Sequence, residues 1–367
     1  MDGWPVVRAS GGPRERGRAY GEGARDRIHR SLELYAAIFL HYTELDWSEV
    51  RDRAGGFTDW LDDTDVQLLP ELEGIAEGAS VDAEDVLALN VRTEVMFGLD
   101  RRAAARALRE CTAVGARPPA TDGRVLLGQT WDWKPGARDT CVLLAVRPTG
   151  RPAFVTFVEA GLLAKCGMND AGIGVATNAL TSSNDRGEPG VPYHATLRSL
   201  LTSSSFDEAV AQVTTRRRAS SANYLIGSSD GRLADLEAAP GGADMVWRIE
   251  GATVAHANHF VRPDRAFKDL ALIDGRESPA RQTSIERSLE AQAIGVSTIE
   301  DALRMHAGTG LDGSVCTHAD VSTSPVADYV TIAGIVFDLT DASLHVTHGN
   351  PCGSPFETFS ADALHGL

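Results

Sequence analysis

Apolar residues recur at helical spacing through RERGRAYGEGARDRIHRSLELYAAIFLHY, with charged residues on the opposite face, so the first hundred residues read as helical. The pattern predicts a further helix from Leu69 to Ala76 and another over VDAEDVLALNVRTEVMF, with Ser80 as its N-cap. DRRAAARALRE, basic and alanine-rich, reads as a helix end or an exposed linker. At Glu110 the texture changes. From Cys111 onward short β-like runs dominate, CTAVGAR, RVLLGQTWDW, TCVLLAVRP, AFVTFVEA and GIGVATNAL, separated by Gly, Pro and Asp turn signals. TDG at 121–123 suits a hairpin between the first two. Amphipathic helices return near 193–214 and 278–307, and SANYLIGSS, ATVAHANHF, YVTIAGIVFDL and ASLHVTH read as strands. Blocks of strands and blocks of helices, without strict alternation, predict an α+β fold of packed antiparallel sheets with helical layers. No internal repeat interrupts this order.

At 367 residues the chain is long enough to bury a sizeable core. No apolar run approaches the roughly 20 residues of a membrane span, and MDGWPVVRASGG carries neither a basic leader nor an apolar signal core, so a cytoplasmic, membrane-free protein is expected. The formal charge of −16, with no Lys/Arg stripe, argues against nucleic acid as a partner. The Arg216–Arg218 cluster is explained most simply by solvation, and no glycine-rich phosphate loop is present. Five cysteines, odd in number, widely spread and without a C-x-x-C pair, argue against a disulfide framework and a structural zinc site. Neither metal nor cofactor is expected.

Cys111 stands out because it opens a β-like run directly after the helical section, whereas most isolated cysteines are inert buried thiols. The hairpin partner ends in Trp131-Asp132-Trp133, placing a carboxylate beside the start of the first strand. Among apolar rings such a carboxylate needs donors to stay ionised, and a free α-amino group at residue 111 would be one; a turn cap is the plainer alternative. Asn-Asp-Ala-Gly forms a tight turn before a buried strand that ends near Asn178. In AHANHF, Asn258 is a neutral donor suited to a developing oxyanion, or a loop residue holding its own turn. His256 and His259 lack the neighbouring Asp, Glu or Cys of a usual metal set.

Taken in order, ECTAVGARPPATDGRVLLGQTWDW, GMNDAGIGVATNAL, AHANHF, HAGTGLDGSVCTHAD and TIAGIVFDL…LHVTHGNPC resemble the isopenicillin N acyltransferase (acyl-CoA:6-aminopenicillanic acid acyltransferase) family of self-cleaving cysteine N-terminal nucleophile (Ntn) hydrolases. RGRAYGEGARDRI and LEGIAEGASVDAEDVLALNVRTEV are similar to that family's helical amino-terminal region, so the likeness spans nearly the whole chain. The resemblance implies an αββα sandwich and a proenzyme that cuts itself between Glu110 and Cys111. Residues 1–110 then form an α chain and 111–367 a catalytic β chain, which stay associated as one unit. It carries the nucleophile onto Cys111, the catalytic aspartate onto Asp132 and the oxyanion asparagine onto Asn258; Trp131, Trp133, Asn178 and His259 are candidate pocket residues. Two departures stand out: Glu110 replaces the Gly of some members, and Ser314-Val315-Cys316-Thr317-His318 lacks the arginine of the common Ser-Ile-Cys-Arg-His. The expected activity is hydrolysis of a small-molecule amide through a Cys111 thioester. Acyl transfer to an amine, a Cys-His hydrolase using His256 or His259, and a non-catalytic binding protein are the alternatives.

Overall fold

The computed structural model describes residues 3–99, 111–262, 266–274, 277–290, 293–306, 313–320 and 322–366. Glu110, one side of the expected cleavage bond, and the segment DRRAAARALRE lie outside the described residues.

The amino-terminal section begins with a strand, β1 (Val6–Gly11), followed by α1 (Pro13–Gly23), α2 (Arg25–Thr43), α3 (Trp47–Ala54), α4 (Thr58–Thr64), α5 (Leu68–Ala79), α6 (Ala83–Asn90) and α7 (Arg92–Leu99). This corrects three sequence readings. VVRASG is short enough to hide beside the helices, yet it alternates in burial as a strand does and pairs with a distant one. Ser80 closes α5 in the left-handed conformation (φ 60°), and Asp82 caps α6 instead. The single helix expected over 81–97 is two, broken at Val91, whose φ of −116° leaves the helical region.

The remaining strands are β2 (Cys111–Ala116), β3 (Leu126–Trp133), β4 (Cys141–Pro148), β5 (Phe154–Glu159), β6 (Cys166–Asn169), β7 (Ile173–Ala179), β8 (Ala222–Ser228), β9 (Arg232–Ala238), β10 (Val246–Ile249), β11 (Thr253–His256), β12 (Val330–Asp338), β13 (Ser343–Thr347) and β14 (Phe356–Ser360). The helices among them are α8 (Tyr193–Leu201), α9 (Phe206–Thr214), α10 (Ala271–Asp274), α11 (Glu277–Ser288), α12 (Val296–Leu303) and α13 (Ala361–His365). They build an eight-stranded sheet, β1-β4-β5-β6-β7-β8-β9-β10, and a six-stranded sheet, β11-β2-β3-β12-β13-β14. Among the described strands, the ladders are antiparallel except that of β1 with β4.

The sheets stack face to face. Alternation decides which side chains enter the stack: Ala113, Leu127, Trp131 and Ile335 of one sheet join Phe157, Val175 and Leu225 of the other in the main core. Gly115 and Gly174 sit where a Cβ would press on Leu225 and Leu233, or on Leu339 and Leu127, so leucines fill the space that a side chain at either position would need. The outer face of the six-stranded sheet, through Val114, Leu126 and Val336, packs on Ile285 of α11, Leu289 just beyond it, and Ile299 and Leu303 of α12. Helices α8 and α9 cover the other sheet at β7 and β8. Helix, sheet, sheet, helix is the αββα order that the resemblance implies. Among the described residues, no helix is long and apolar enough to cross a membrane. Arg218 is not solvated as expected: it is buried and donates to the carbonyls of Val213, Arg216, Ala239 and Gly242.

Candidate active site around Cys111

Cys111 is the first residue of β2, and its register partner on β3 is Trp131. Both backbone groups of residue 111 are held by side chains. Its N–H donates to Asn258 Oδ1 (2.8 Å), and its carbonyl accepts from Asn178 Nδ2 (3.0 Å) and Arg281 Nη1 (3.0 Å). Arg281 also donates to Thr112 Oγ1 (2.9 Å) and, through Nη2, to Asn258 Oδ1 (2.8 Å). Two donors converging on that oxygen fix the orientation of the Asn258 amide, whose Nδ2 therefore points to the Ala179 carbonyl (3.0 Å). The residue that opens the strand is thus immobilised through its backbone, while its thiol faces a cavity.

Asp132 is completely buried, yet it is not sandwiched between the two indoles. Neighbours along a strand point to opposite faces, so Asp132 turns away from Trp131 and Trp133. It meets hydroxyls instead: Thr331 Oγ1 donates to one carboxylate oxygen (2.5 Å) and Thr130 Oγ1 to the other (3.2 Å). A register shift in β12 between Thr331 and Ala333 aims Thr331 at this carboxylate. Burial pushes the Cys111 thiol up to about 11 and the Asp132 charge adds to the shift, while Lys165, the Asp132 backbone beside the thiol and Arg281 favour the thiolate and partly offset it. In the intact chain the group is a neutral thiol.

The cavity beside Cys111 measures about 50 Å³ and is lined by Trp131, Asp132, Trp133, Phe97, Tyr193, Arg92 and Lys165. Lys165 lies 3.6 Å above the Trp131 ring and 3.6 Å from Glu159 Oε2. Arg92 donates to Glu159 Oε2 (3.1 Å), which also receives Tyr35 OH on its other oxygen. Burial, reinforced by Arg92, drives the pKa of His194 well down. Its neutral ring places Nδ1 against the Ala164 carbonyl (2.9 Å) and Nε2 against Arg92 Nη1 (2.6 Å).

Of the four candidate pocket residues, Trp131 and Trp133 line this cavity; Asn178 and His259 do not. Asn178 is fully buried and serves the Cys111 and His256 carbonyls. His259 turns its Nδ1 to Ser278 Oγ (2.8 Å). His256 has acceptors at both ring nitrogens, the Ala257 carbonyl (2.9 Å) and Glu237 (3.0 Å), so both nitrogens carry protons. Burial disfavours that cation, but Asp235 and Glu237 outweigh it and raise the pKa. A doubly protonated, doubly engaged imidazole is no base for Cys111.

Sequence reasoning missed Arg281, Lys165 and Arg92. Lys165 left a readable signal, a lone cation inside the apolar run GLLAKCGM. Arg281 left none, because on an amphipathic helix an arginine reads as part of the solvated face, and only the packing of α11 on β2 buries it.

The family model described as acyl-coenzyme A:6-aminopenicillanic acid acyl-transferase matches residues 120–352. Among curated proteins, the chain is 26% identical over 253 residues to the 40 kDa form of the acyl-coenzyme A:6-aminopenicillanic-acid-acyltransferase of Emericella nidulans, covering 69% of this chain and 68% of that protein. Among solved structures, it is similar to a mutant of the conjugated bile acid hydrolase of Clostridium perfringens (TM-score 0.42, 12% identity, 68% of this chain and 96% of that one). It is also similar to penicillin V acylase of Agrobacterium tumefaciens (TM-score 0.39, 15% identity, 65% and 82%). With well over half of its length matched by the family model, the chain belongs to the acyl-coenzyme A:6-aminopenicillanic acid acyl-transferase family of enzymes.

Proposed function

We propose that the chain cuts itself between Glu110 and Cys111, and that the freed Cys111 hydrolyses a small amide through a thioester. The observation that carries this reading is the grip on residue 111: a strand-opening cysteine with both backbone groups fixed and its thiol on a cavity wall. In the precursor, the thiol attacks the Glu110 carbonyl, the C–N bond breaks, and the acyl group moves to sulfur as the amine of residue 111 is released. Water then cleaves that thioester, leaving the Glu110 carboxylate and a free thiol. An α-amino group has a reference pKa of about 7.7–8.0, so near neutral pH it can take the proton of its own thiol without a histidine.

With substrate, the sulfur attacks the amide carbonyl while the amine holds the thiol proton. The same ammonium returns the proton to the departing amine, and water hydrolyses the acyl-enzyme. Asn258 Nδ2, now on the Ala179 carbonyl at the cavity wall, is the side-chain donor for the oxyanion. Asp132, held by the Thr130 and Thr331 hydroxyls, braces β3 beside the strand that Cys111 opens. The Trp131 ring in the cavity wall offers an apolar surface to the acyl group.

The thioester can also pass its acyl group to a bound amine, so the balance between water and amine decides between hydrolase and transferase. The test loads the enzyme with a small amide or thioester donor, maps the acyl mass to a peptide beginning at Cys111, and measures free acid against acyl-amine as an amine acceptor is raised. Acylation at Cys111 with free acid dominant at low acceptor is expected. Negligible free acid there would make the chain a transferase, and acylation elsewhere would remove the nucleophile assignment.

A further inference from the structure

The sequence reading set the cysteines apart from one another and expected no metal. The fold brings two of them together with two histidines. His306 follows α12, Cys316 and His318 lie in the segment before β12, and Cys352 lies in the turn after β13. One donor atom from each falls within 4.8 Å of all the others. His318 Nε2 lies 3.3 Å from Cys352 Sγ and 4.0 Å from Cys316 Sγ, and the two imidazoles stack with centroids 5.0 Å apart. None of the four lines the cavity at Cys111.

We infer that these four residues form a zinc site. Two thiolates and two neutral imidazoles are a standard tetrahedral donor set for this ion, and bonds of about 2.0–2.3 Å put neighbouring donors roughly 3.3–3.8 Å apart. Small side-chain rotations bring the present spacings into that range. Binding displaces one proton from each thiol, so a divalent cation and two thiolates leave the site electrically neutral. All four positions are filled by protein, which makes the site structural, with no open coordination position for catalysis.

The surroundings fit a ligand pair built in advance. Asn350 Nδ2 donates to Cys316 Sγ (3.4 Å) and to the Thr317 carbonyl (2.7 Å), while Arg138 Nη2 holds Asn350 Oδ1 (2.8 Å). An N–H bond to a ligating sulfur is the support that a metal-bound thiolate needs. Cys316 is buried and tied by its backbone N–H to the Met305 carbonyl (3.1 Å), whereas the other three donors are exposed and leave a path for the ion. Cys316 and His318 are separated by one residue, and their donor atoms meet 4.0 Å apart.

The ion would also reach the active site mechanically. Between the two ligands, the Thr317 N–H donates to Thr331 Oγ1 (2.8 Å), the hydroxyl that in turn donates to Asp132. Fixing 316–318 therefore fixes the support of that carboxylate.

The experiment uses the full-length purified protein, reduced and treated with a chelator, then titrated with zinc or with cobalt(II) as a spectroscopic probe. Expected are one metal per chain, thiolate-to-cobalt charge-transfer bands with visible bands of tetrahedral intensity, and a higher Tm with zinc. Cys316→Ser and Cys352→Ser lose this uptake, His318→Ala weakens it by at least about tenfold, and Cys111→Ala keeps it. Cys352 is exposed, so its variant is expected to fold even if Cys316→Ser does not. The inference is overturned if reduced wild type binds no more metal than Cys352→Ser, if Cys111→Ala abolishes uptake, or if the protein as purified is two hydrogens lighter through a Cys316–Cys352 disulfide.

Discussion

Asn258 carries two jobs with the two ends of one amide: its oxygen receives the Cys111 N–H and Arg281, and its nitrogen reaches the cavity wall at Ala179. Removing it should therefore do more than trim a contact. On the cleaved fraction, Asn258→Ala is expected to lower kcat by roughly 100- to 1000-fold, the usual effect of losing one oxyanion donor, with a much smaller change in KM. Wild-type kcat in that sample would refute the role. Asn258→Asp keeps the acceptor for Cys111 and Arg281 but loses the donor, so a comparable fall in kcat would place the effect on the Nδ2 group. At this scale the sequence singled out Cys111, Asp132 and Asn258, a cysteine opening one β-like run and an acid and an amide at the ends of two others. It did not expose Arg281, whose meaning depends on what α11 packs against, nor the two-faced setting of Asp132, which comes from pleating and from the shift in β12.

Between α1 and α5 the glycines of RGRAYGEG and LEGIAEGA find a physical purpose that the local sequence could not supply. Gly17 and Gly21 face α5 while Gly74 and Gly78 face α1, and a Cβ on any of them would lie 2.2–2.3 Å from a backbone oxygen of the other helix. Backbone so close cannot move aside by a rotamer change. Gly78→Ala is expected to cost about 1–3 kcal/mol despite alanine's better helix propensity, read as a lower urea midpoint. Gly55→Ala, at a helical φ of −55° with nothing near the added methyl, should leave the midpoint almost unchanged. An unchanged midpoint in Gly78→Ala would mean that the helices do not cross this closely. The elements themselves were legible wherever periodicity ran long, as in α2, α5 and β12. Those that failed were short or shared: β1 shows itself only through its partner β4, and the break at Val91 carries no Gly or Pro to announce it.

The amino-terminal section is sewn to the rest of the molecule, which bears on what cleavage would leave behind. β1 runs beside β4 over Val6 to Gly11, Trp4 Nε1 donates to the Thr347 carbonyl (2.9 Å), and Tyr35 and Arg92 converge on Glu159. Two fragments joined this way should stay together until the whole fold melts. Stability should also fall as pH rises toward neutrality. Burial pushes Glu94 up to about 7 despite hydrogen bonds from Ser220 and the Tyr193 N–H, and it pushes Asp185 and Asp235 up to about 6. A carboxyl with a raised folded pKa holds its proton longer in the native state. Its contribution is full below the unfolded pKa and is lost as pH climbs through the folded one. Glu94→Gln is always neutral, so its urea midpoint should gain on wild type between about pH 4.5 and 7, by up to about 3 kcal/mol across the window. A constant difference over that range would contradict the buried, protonated state of Glu94.

The central claim, that Cys111 becomes an amino terminus, rests on one bond, and mass spectrometry of the purified protein under denaturing conditions reads that bond directly. Two species should appear, residues 1–110 and a 111–367 fragment beginning with Cys111, co-eluting as one particle before denaturation, while Cys111→Ala shows a single 367-residue chain without turnover. A wild-type chain that stays whole after long incubation and still turns over an amide would contradict the account.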